Sequence, residues 1–544
     1  MGTQTHICGS GHDDMRNSTD GGDAILQAFR SLGIDYVMAS PGSEWGPFWE
    51  AMAQQQLTNE SGPTGRMQAV MLHTGVGLLQ GSLGIEGALR GAIPMLILSG
   101  ESVSFGDDPD IDPGFQWQAI LNQVGSPTRL IEPLVKWAHQ TGSISNMYQQ
   151  IVTAGELSQR TPRAPTYLSV PIEVMMQPWT PPSERRNPPA APVVTATPAD
   201  IAKVRDMLRA AEGPAALTAG AGRPAKAYTA LRALPEPLAL PVLARYLGAG
   251  RPPVIDEADR ILMIASRQPW YPLANVPKNA RIVTIDDTPF RDHVVYQPSS
   301  AECFLEGDVA ANLALLVDAL RQAKIDETAI TRRRARWEDT TVDRAAEARQ
   351  IVTDAETDDT ISPALLAATL SRVAPEGTVF VDETITHRPA IVRHLHSDGP
   401  MSYFRVHGGL GQAMGVALGA KLAVPDRAVV TTLGDGTFLY NPAIQALAFA
   451  RTNNLATLTV VFNNHGYNAM RKDQEGYFPD GVAAKNDLWL GHPITEFDYA
   501  ELAKPFGAFG ATVETPAELP GMLEEAFAAI ANGQSALLNV LRNA

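Results

Sequence analysis

The sequence predicts an α/β protein built as three doubly wound parallel-sheet domains. Three observations carry that expectation. The 544 residues suffice for about three domains with ample core. Short apolar, β-branched runs alternate with helix-forming stretches, as in parallel sheets covered on both faces. One stretch, 428–464, reads as a complete βαβ unit whose two strands both end in polar turns.

The elements follow in chain order. Met1 to Asp20 is polar, lacks the basic-then-apolar plan of a signal peptide, and reads as a disordered tail. Ala24 to Leu32 is an amphipathic helix, followed by the strand Tyr36-Val37-Met38-Ala39 and the turn Ser40-Pro41-Gly42-Ser43. Ala69–Leu72, Pro94–Leu98 and Thr166–Pro171 are further buried strands of this first block, 21–177. The Pro-rich segment Pro178 to Pro198 is an extended linker. A middle block, 199–321, has its clearest strands at Ala215–Leu217, Arg260–Ile264 and Arg281–Ile285. Its turn Ala219-Gly220-Ala221-Gly222 leaves a nucleotide or flavin site open, and the block looks clipped around Leu247 to Pro253. A charged helical linker, Gln322 to Asp358, leads to the third block, 360–544.

Composition excludes several classes. Net charge is −16, which argues against a nucleic-acid partner, and the run Arg332-Arg333-Arg334 reads as a solvated helix face. Only Cys8 and Cys303 are present, so no disulfide framework is expected and a reducing cytoplasm is. No stretch approaches the roughly 20 apolar residues of a membrane span.

The βαβ unit holds the chemistry. The strand Ala428–Leu433 ends at Gly434-Asp435-Gly436, Ala443 to Ala450 is helical, and the strand Thr457–Phe462 ends at Asn463-Asn464-His465-Gly466. Asp435 and Asn464 then lie at carboxyl ends of parallel strands, where open α/β sheets bind ligands. A carboxylate, an amide oxygen and a backbone carbonyl near Gly466 supply three oxygens to Mg²⁺, which shares its shell with phosphates. Gly434 and Gly436 allow close backbone approach. The alternative is two ordinary strand-end turns.

Gly-Asp-Gly followed after 26 residues by Asn-Asn resembles the metal and diphosphate motif of thiamine diphosphate (ThDP) enzymes, and the likeness extends along most of the chain. The family's layout, shared by benzoylformate decarboxylase and acetolactate synthase, implies pyrimidine-binding, central and diphosphate-binding domains of the ThDP-binding fold. It implies ThDP and Mg²⁺ as cofactors, a 2-oxo acid or related carbonyl substrate, and a homodimer or homotetramer. By the same resemblance Asp435, Asn464 and Gly466 hold the metal, while Gly434, Gly436, Thr437 and Tyr467 join the cofactor site. Leu410, in His407-Gly408-Gly409-Leu410-Gly411, is the apolar wedge between the cofactor rings, and the Gly408 carbonyl accepts from its exocyclic amine. Thr384 and Thr386, in Glu383-Thr384-Ile385-Thr386, meet the diphosphate; a plain strand-end turn is the other reading. Pro41-Gly42-Ser43 and Leu72-His73-Thr74-Gly75 look most like benzoylformate decarboxylase, where the serine binds the substrate carboxylate and the histidine transfers protons. Ser43 as a helix cap and His73 as a strand-end imidazole stay open. Met470 stands where pyruvate decarboxylase-like enzymes carry glutamate, and reads as a pocket wall.

One feature departs from the family. A glutamate that hydrogen-bonds the aminopyrimidine N1′ is normally carried on a helix after the second strand. Trp49 to Arg66 offers neither that strand nor that helix pattern, and the block is short by about one strand-plus-helix unit. Glu50, Glu60 or no residue takes the role. An acetolactate synthase-like transferase and a catalytically silent ThDP-binding protein are the alternatives to a benzoylformate decarboxylase-like enzyme.

Overall fold

The computed structural model describes residues 19–541, apart from 41–42, 59–66, 102–124, 223, 245–252, 269, 271–274, 295–296, 325 and 407. The chain forms two compact units, Met1–Pro192 and Val193–Ala544, which divide within the Pro-rich stretch.

The first unit opens with the helix Gly21–Leu32. Asp20, expected in the tail, instead caps it: its side chain accepts from Gly22 N at 2.8 Å, and Asp23 returns the bond to Asp20 N at 2.9 Å. This reciprocal cap satisfies free N–H groups of the first turn. Gly33, at φ +66°, ends the helix in the left-handed conformation. Five parallel strands follow: β1 (Val37–Ser40), β2 (Gln68–Leu72), β3 (Met95–Glu101), β4 (Trp137–Gln140) and β5 (Pro165–Pro171), in the order β1-β2-β3-β5-β4. β1 pairs directly with β2, from Val37 opposite Ala69 to Ser40 opposite Leu72. One helix, Gly46–Thr58, is described in the connection between them.

The second unit carries two sheets. The first has β6 (Pro214–Thr218), β7 (Val242–Ala244), β8 (Arg260–Ile264), β9 (Arg281–Asp286) and β10 (Ala301–Glu306), ordered β10-β9-β8-β6-β7. The expected charged linker is a 29-residue helix, Glu327–Ala355. One expectation fails there. Arg333 is buried, and its guanidinium donates to the carbonyls of Arg209 at 2.7 Å, Leu238 at 3.3 Å, Leu208 at 3.4 Å, and Ala211. It closes the carboxyl end of the helix Pro198–Ala210, where backbone carbonyls lack partners. Arg332 and Arg334 are exposed, as expected of a solvated face.

The last sheet has β11 (Val379–Glu383), β12 (Tyr403–Arg405), β13 (Val429–Gly434), β14 (Leu458–Asn463), β15 (Phe509–Val513) and β16 (Ala536–Leu541). All pairs are parallel and the order is β12-β11-β13-β14-β16-β15. Alternate residues feed two cores. Phe380, Val430, Val460 and Phe462 pack on one face, and Val381, Val429, Leu433 and Val461 on the other. Each such side chain contributes about 1.5–3 kcal/mol by leaving water, which is why the central strands read as continuous apolar runs. The chain leaves β11 for β12 on one side and returns to β13 on the other. The switch point of the sheet therefore lies between the carboxyl ends of β11 and β13, where such sheets open a crevice.

Candidate cofactor and metal site

β13 delivers Asp435 to that crevice. Gly434 caps the helix Asp435–Tyr440, and Asp435 is its first residue, 2% exposed. Oδ1 accepts from Gly436 N at 2.8 Å and Oδ2 from Gly466 N at 2.9 Å. Burial pushes the Asp435 carboxyl above its usual range, and these N–H groups only partly oppose that. A Cβ at Gly434 would meet only the Phe462 carbonyl, at 3.9 Å, so the chain itself leaves room beside Asp435.

β14 delivers the second group. Asn463 turns inward, donating to Asn539 Oδ1 at 3.0 Å and accepting from His465 N at 3.1 Å. His465 is left-handed, at φ +54°, and the chain reverses. The reversal is pinned by Tyr467 N to the His492 carbonyl at 2.8 Å and Ile494 N to the His465 carbonyl at 2.9 Å. Asn464 is thereby turned toward Asp435. One end of its amide lies 3.0 Å from Asp435 Oδ1 and 3.1 Å from the Gly466 carbonyl, and the other faces the Asn468 amide.

Which end faces Asp435 is a question of chemistry. Hydrogen bonding alone places the NH₂ there. With the amide oxygen there instead, three oxygens converge with no proton between them, an arrangement a cation stabilises. In an octahedron with metal–oxygen bonds of about 2.1 Å, neighbouring ligand oxygens are about 3.0 Å apart. The observed separations match that edge. Among the described residues no group of three or more His, Cys, Asp or Glu is placed to hold a metal. This set, with one carboxylate, one amide and one carbonyl, suits a hard cation that draws further oxygens from a phosphorylated ligand.

The surroundings shape the crevice. The Tyr467 ring lies against Gly436, where a Cβ would fall 2.7 Å from ring atoms, so glycine is required. Thr437 is buried, and its carbonyl accepts from Asn441 at 3.0 Å. Glu383, the last residue of β11, is 5% exposed and accepts four hydrogen bonds. Oε1 takes Gly411 N at 3.0 Å and Gln412 N at 2.9 Å, while Oε2 takes Ala413 N at 3.2 Å and Asn441 Nδ2 at 2.9 Å. It clamps the glycine-rich loop and the amino end of the helix Ala413–Ala423 to the sheet. Burial nonetheless holds its pKa above the usual value. Gly408 and Gly411 have φ of +97° and +101°, and Leu410 between them is half-buried. His407 lies outside the described residues.

Thr384 and Thr386 part company. Thr384 is buried with its hydroxyl on Asp382 Oδ1 at 2.6 Å and its N–H on the same oxygen at 3.0 Å, so its polar groups turn into the sheet. Thr386 is half-buried in the turn. Met470, read as a pocket wall, is 48% exposed on the helix Asn468–Tyr477.

In the first unit, His73 follows β2 and precedes the helix Thr74–Arg90. Its Nδ1 is 2.9 Å from both carboxylate oxygens of Glu44. Ser43 opens the 3₁₀ turn Ser43–Trp45 after β1, and Pro41 and Gly42 lie outside the described residues. Glu50 is exposed on the helix Gly46–Thr58, and Glu60 lies outside the described residues. The strand-end motifs thus bring Asp435, Asn464 and Gly466 together. Sequence reasoning passes over Glu44, Asn441 and Asn468, and over the clamp made by Glu383. For Glu44 the one signal is a carboxylate immediately after a strand-end Pro-Gly-Ser.

Residues 386–540 match the thiamine pyrophosphate enzyme, C-terminal TPP binding domain family. The chain is 26% identical to benzoylformate decarboxylase of Pseudomonas aeruginosa, across 93% of this chain and 96% of that protein. It is 24% identical to the acetolactate synthase isozyme 3 large subunit of Escherichia coli, across 95% and 90%. The crystal structure of benzoylformate decarboxylase from Polynucleobacter necessarius superposes with a TM-score of 0.73 at 18% identity, covering 97% of this chain and 99% of that one. With its three parallel sheets, a C-terminal region that matches the thiamine pyrophosphate enzyme domain, and relatives along nearly its whole length, the chain is similar to thiamine diphosphate-dependent enzymes of the benzoylformate decarboxylase and acetolactate synthase kind.

Proposed function

We propose that the chain is a ThDP- and Mg²⁺-dependent, benzoylformate decarboxylase-like enzyme. It would act on a 2-oxo acid by decarboxylation, carbon–carbon cleavage or carboligation, as a cytoplasmic homodimer or homotetramer. The observation that carries this reading is the convergence of Asp435, Asn464 and the Gly466 carbonyl at the ends of β13 and β14. When bound, ThDP supplies a carbon nucleophile for a carbonyl substrate and stores the resulting electrons.

The chain's own groups have separable tasks. Asp435, Asn464 and Gly466 would hold the cation, and with it a diphosphate. Gly434 and Gly436 would keep that space open, while Thr437 and Thr386 would border it. Glu383 holds the loop that presents the Gly408 carbonyl and Leu410. His73, with its imidazole held from one side, would give and take a proton at the reacting carbonyl. Ser43, on the turn after β1, would receive the substrate carboxylate.

The test is a panel of 2-oxo acids, with and without an aldehyde acceptor, following both carbon dioxide and ligated product. Carbon dioxide release alone marks a decarboxylase, and a product joined from two 2-oxo acids marks a synthase. A second reading, a silent cofactor-binding protein, draws on one observation: Glu50 of the helix after β1 faces solvent. Deuterium exchange at the cofactor's C2 no faster than in free ThDP would favour it.

A further inference from the structure

Buried Glu44 pairs with half-buried His73, and the proposed function leaves Glu44 unexplained. Glu44 is 5% exposed, on the turn after β1. Both its oxygens lie 2.9 Å from His73 Nδ1, at the end of the adjacent strand β2. Its place is made by Gly100 on β3. A Cβ there would fall 2.1 Å from Glu44 Cγ and 2.8 Å from Oε1. Three successive strands thus cooperate: one supplies the carboxylate, one the imidazole, one the notch. Trp45 Nε1 donates to the Leu72 carbonyl at 3.1 Å and fixes the turn against β2 one residue before His73.

A carboxylate can only accept, so Nδ1 must carry the proton. The neutral ring then has its lone pair at Nε2, the nitrogen directed away from Glu44. A proton taken up at Nε2 gives an imidazolium whose charge Glu44 balances, and its return restores the neutral ring. This is the logic by which a buried carboxylate orients a catalytic imidazole in hydrolases.

We propose that Glu44 is the positioning residue for His73, fixing the Nδ1–H tautomer so that Nε2 exchanges the proton with the bound 2-oxo acid. The proposal rests on the functional reading above for the identity of the substrate, but the tautomer itself does not.

The experiment uses the holoenzyme with ThDP and Mg²⁺, labelled with ¹⁵N-histidine, the His73 signals being assigned by loss in His73→Gln. Long-range ¹H–¹⁵N spectra should report Nδ1–H in the wild type. They should report a shift toward Nε2–H in Glu44→Ala and in Gly100→Ala, whose new Cβ displaces the carboxylate. With benzoylformate and pyruvate as probes, Glu44→Gln should lower kcat by about 10–100-fold with little change in KM. In a His73→Ala background the same change should cost nothing further, because Glu44 acts through the ring. An unchanged tautomer in both alanine variants, or an equal loss with and without His73, would overturn the proposal. If the chain took up no ThDP the functional reading would fall, and the tautomer, measured on the same chain, would still decide this one.

Discussion

Glu383→Ala tests how the candidate site is supported. The carboxylate accepts from the N–H groups of Gly411, Gln412 and Ala413 and from the amide of Asn441. Loss of a helix cap costs about 1 kcal/mol. Each buried donor left without an acceptor adds about 1–3 kcal/mol, less what entering water restores. The net expectation is a local loss of about 3–5 kcal/mol. Glu383→Gln should lose about 1–3 kcal/mol, because one end of the amide still accepts while its NH₂ faces two donors. Global denaturation would average over several sheets, so the assay is amide hydrogen exchange read peptide by peptide. Exchange in 411–423 should accelerate by about 100-fold or more in the alanine variant, while β6 and β8 stay protected. The burial-raised pKa adds a sign. The ionised form is held at a cost that disappears as pH falls through the folded value, until the unfolded carboxyl also protonates near about 4.3. Wild-type protection of 411–423 should therefore rise on mild acidification, and that of Glu383→Gln should not. Exchange in 411–423 within about 0.5 kcal/mol of wild type in Glu383→Ala would refute the clamp.

Three further outcomes follow from particular contacts. Gly411→Ala puts a side chain at φ +101° and a Cβ 2.4 Å from the Tyr440 carbonyl oxygen, so a thermal shift assay should register about 2–4 kcal/mol of destabilisation. Arg333→Met leaves the carbonyls of Arg209, Ala211 and Leu238 without their donor, and urea unfolding of the second unit's first sheet should show a loss of about 2–4 kcal/mol. As a ligand of the cation, Asp435, its carboxyl raised by burial, would bind a proton in competition with it. Mg²⁺ dependence of ThDP binding should therefore weaken on acidification from a higher pH than an ordinary aspartate would give, as titration calorimetry at several pH values would read.

The parallel-sheet plan was legible because central strands are buried on both faces. β8, β9, β13 and β14 read as apolar runs and lie where expected. The strands the sequence reading passes over are β4, β7, β10, β12, β15 and β16. All but β16 are sheet edges, where one side lacks a partner and the sequence need not be uniformly apolar. β12 is only Tyr403–Arg405, with each residue half-buried. β16, Ala536–Leu541, is interior and apolar, with Asn539 buried against Asn463. At the site, Asp435 and Asn464 were legible because both stand at strand ends in one βαβ unit. Glu44 was not, because its meaning depends on a glycine 56 residues away that leaves it room. Arg333 shows the same limit: a charged residue in a polar stretch partners helix-end backbone through a contact 124 residues away in sequence.

Titration calorimetry of ThDP in the presence of Mg²⁺, on the wild type and on Asp435→Ala and Asn464→Ala, tests the cation-and-diphosphate site most directly. The account predicts saturable uptake by the wild type that depends on the metal and falls by at least about tenfold in each variant. Uptake by the wild type that needs no divalent ion, or that survives both substitutions unchanged, would contradict it.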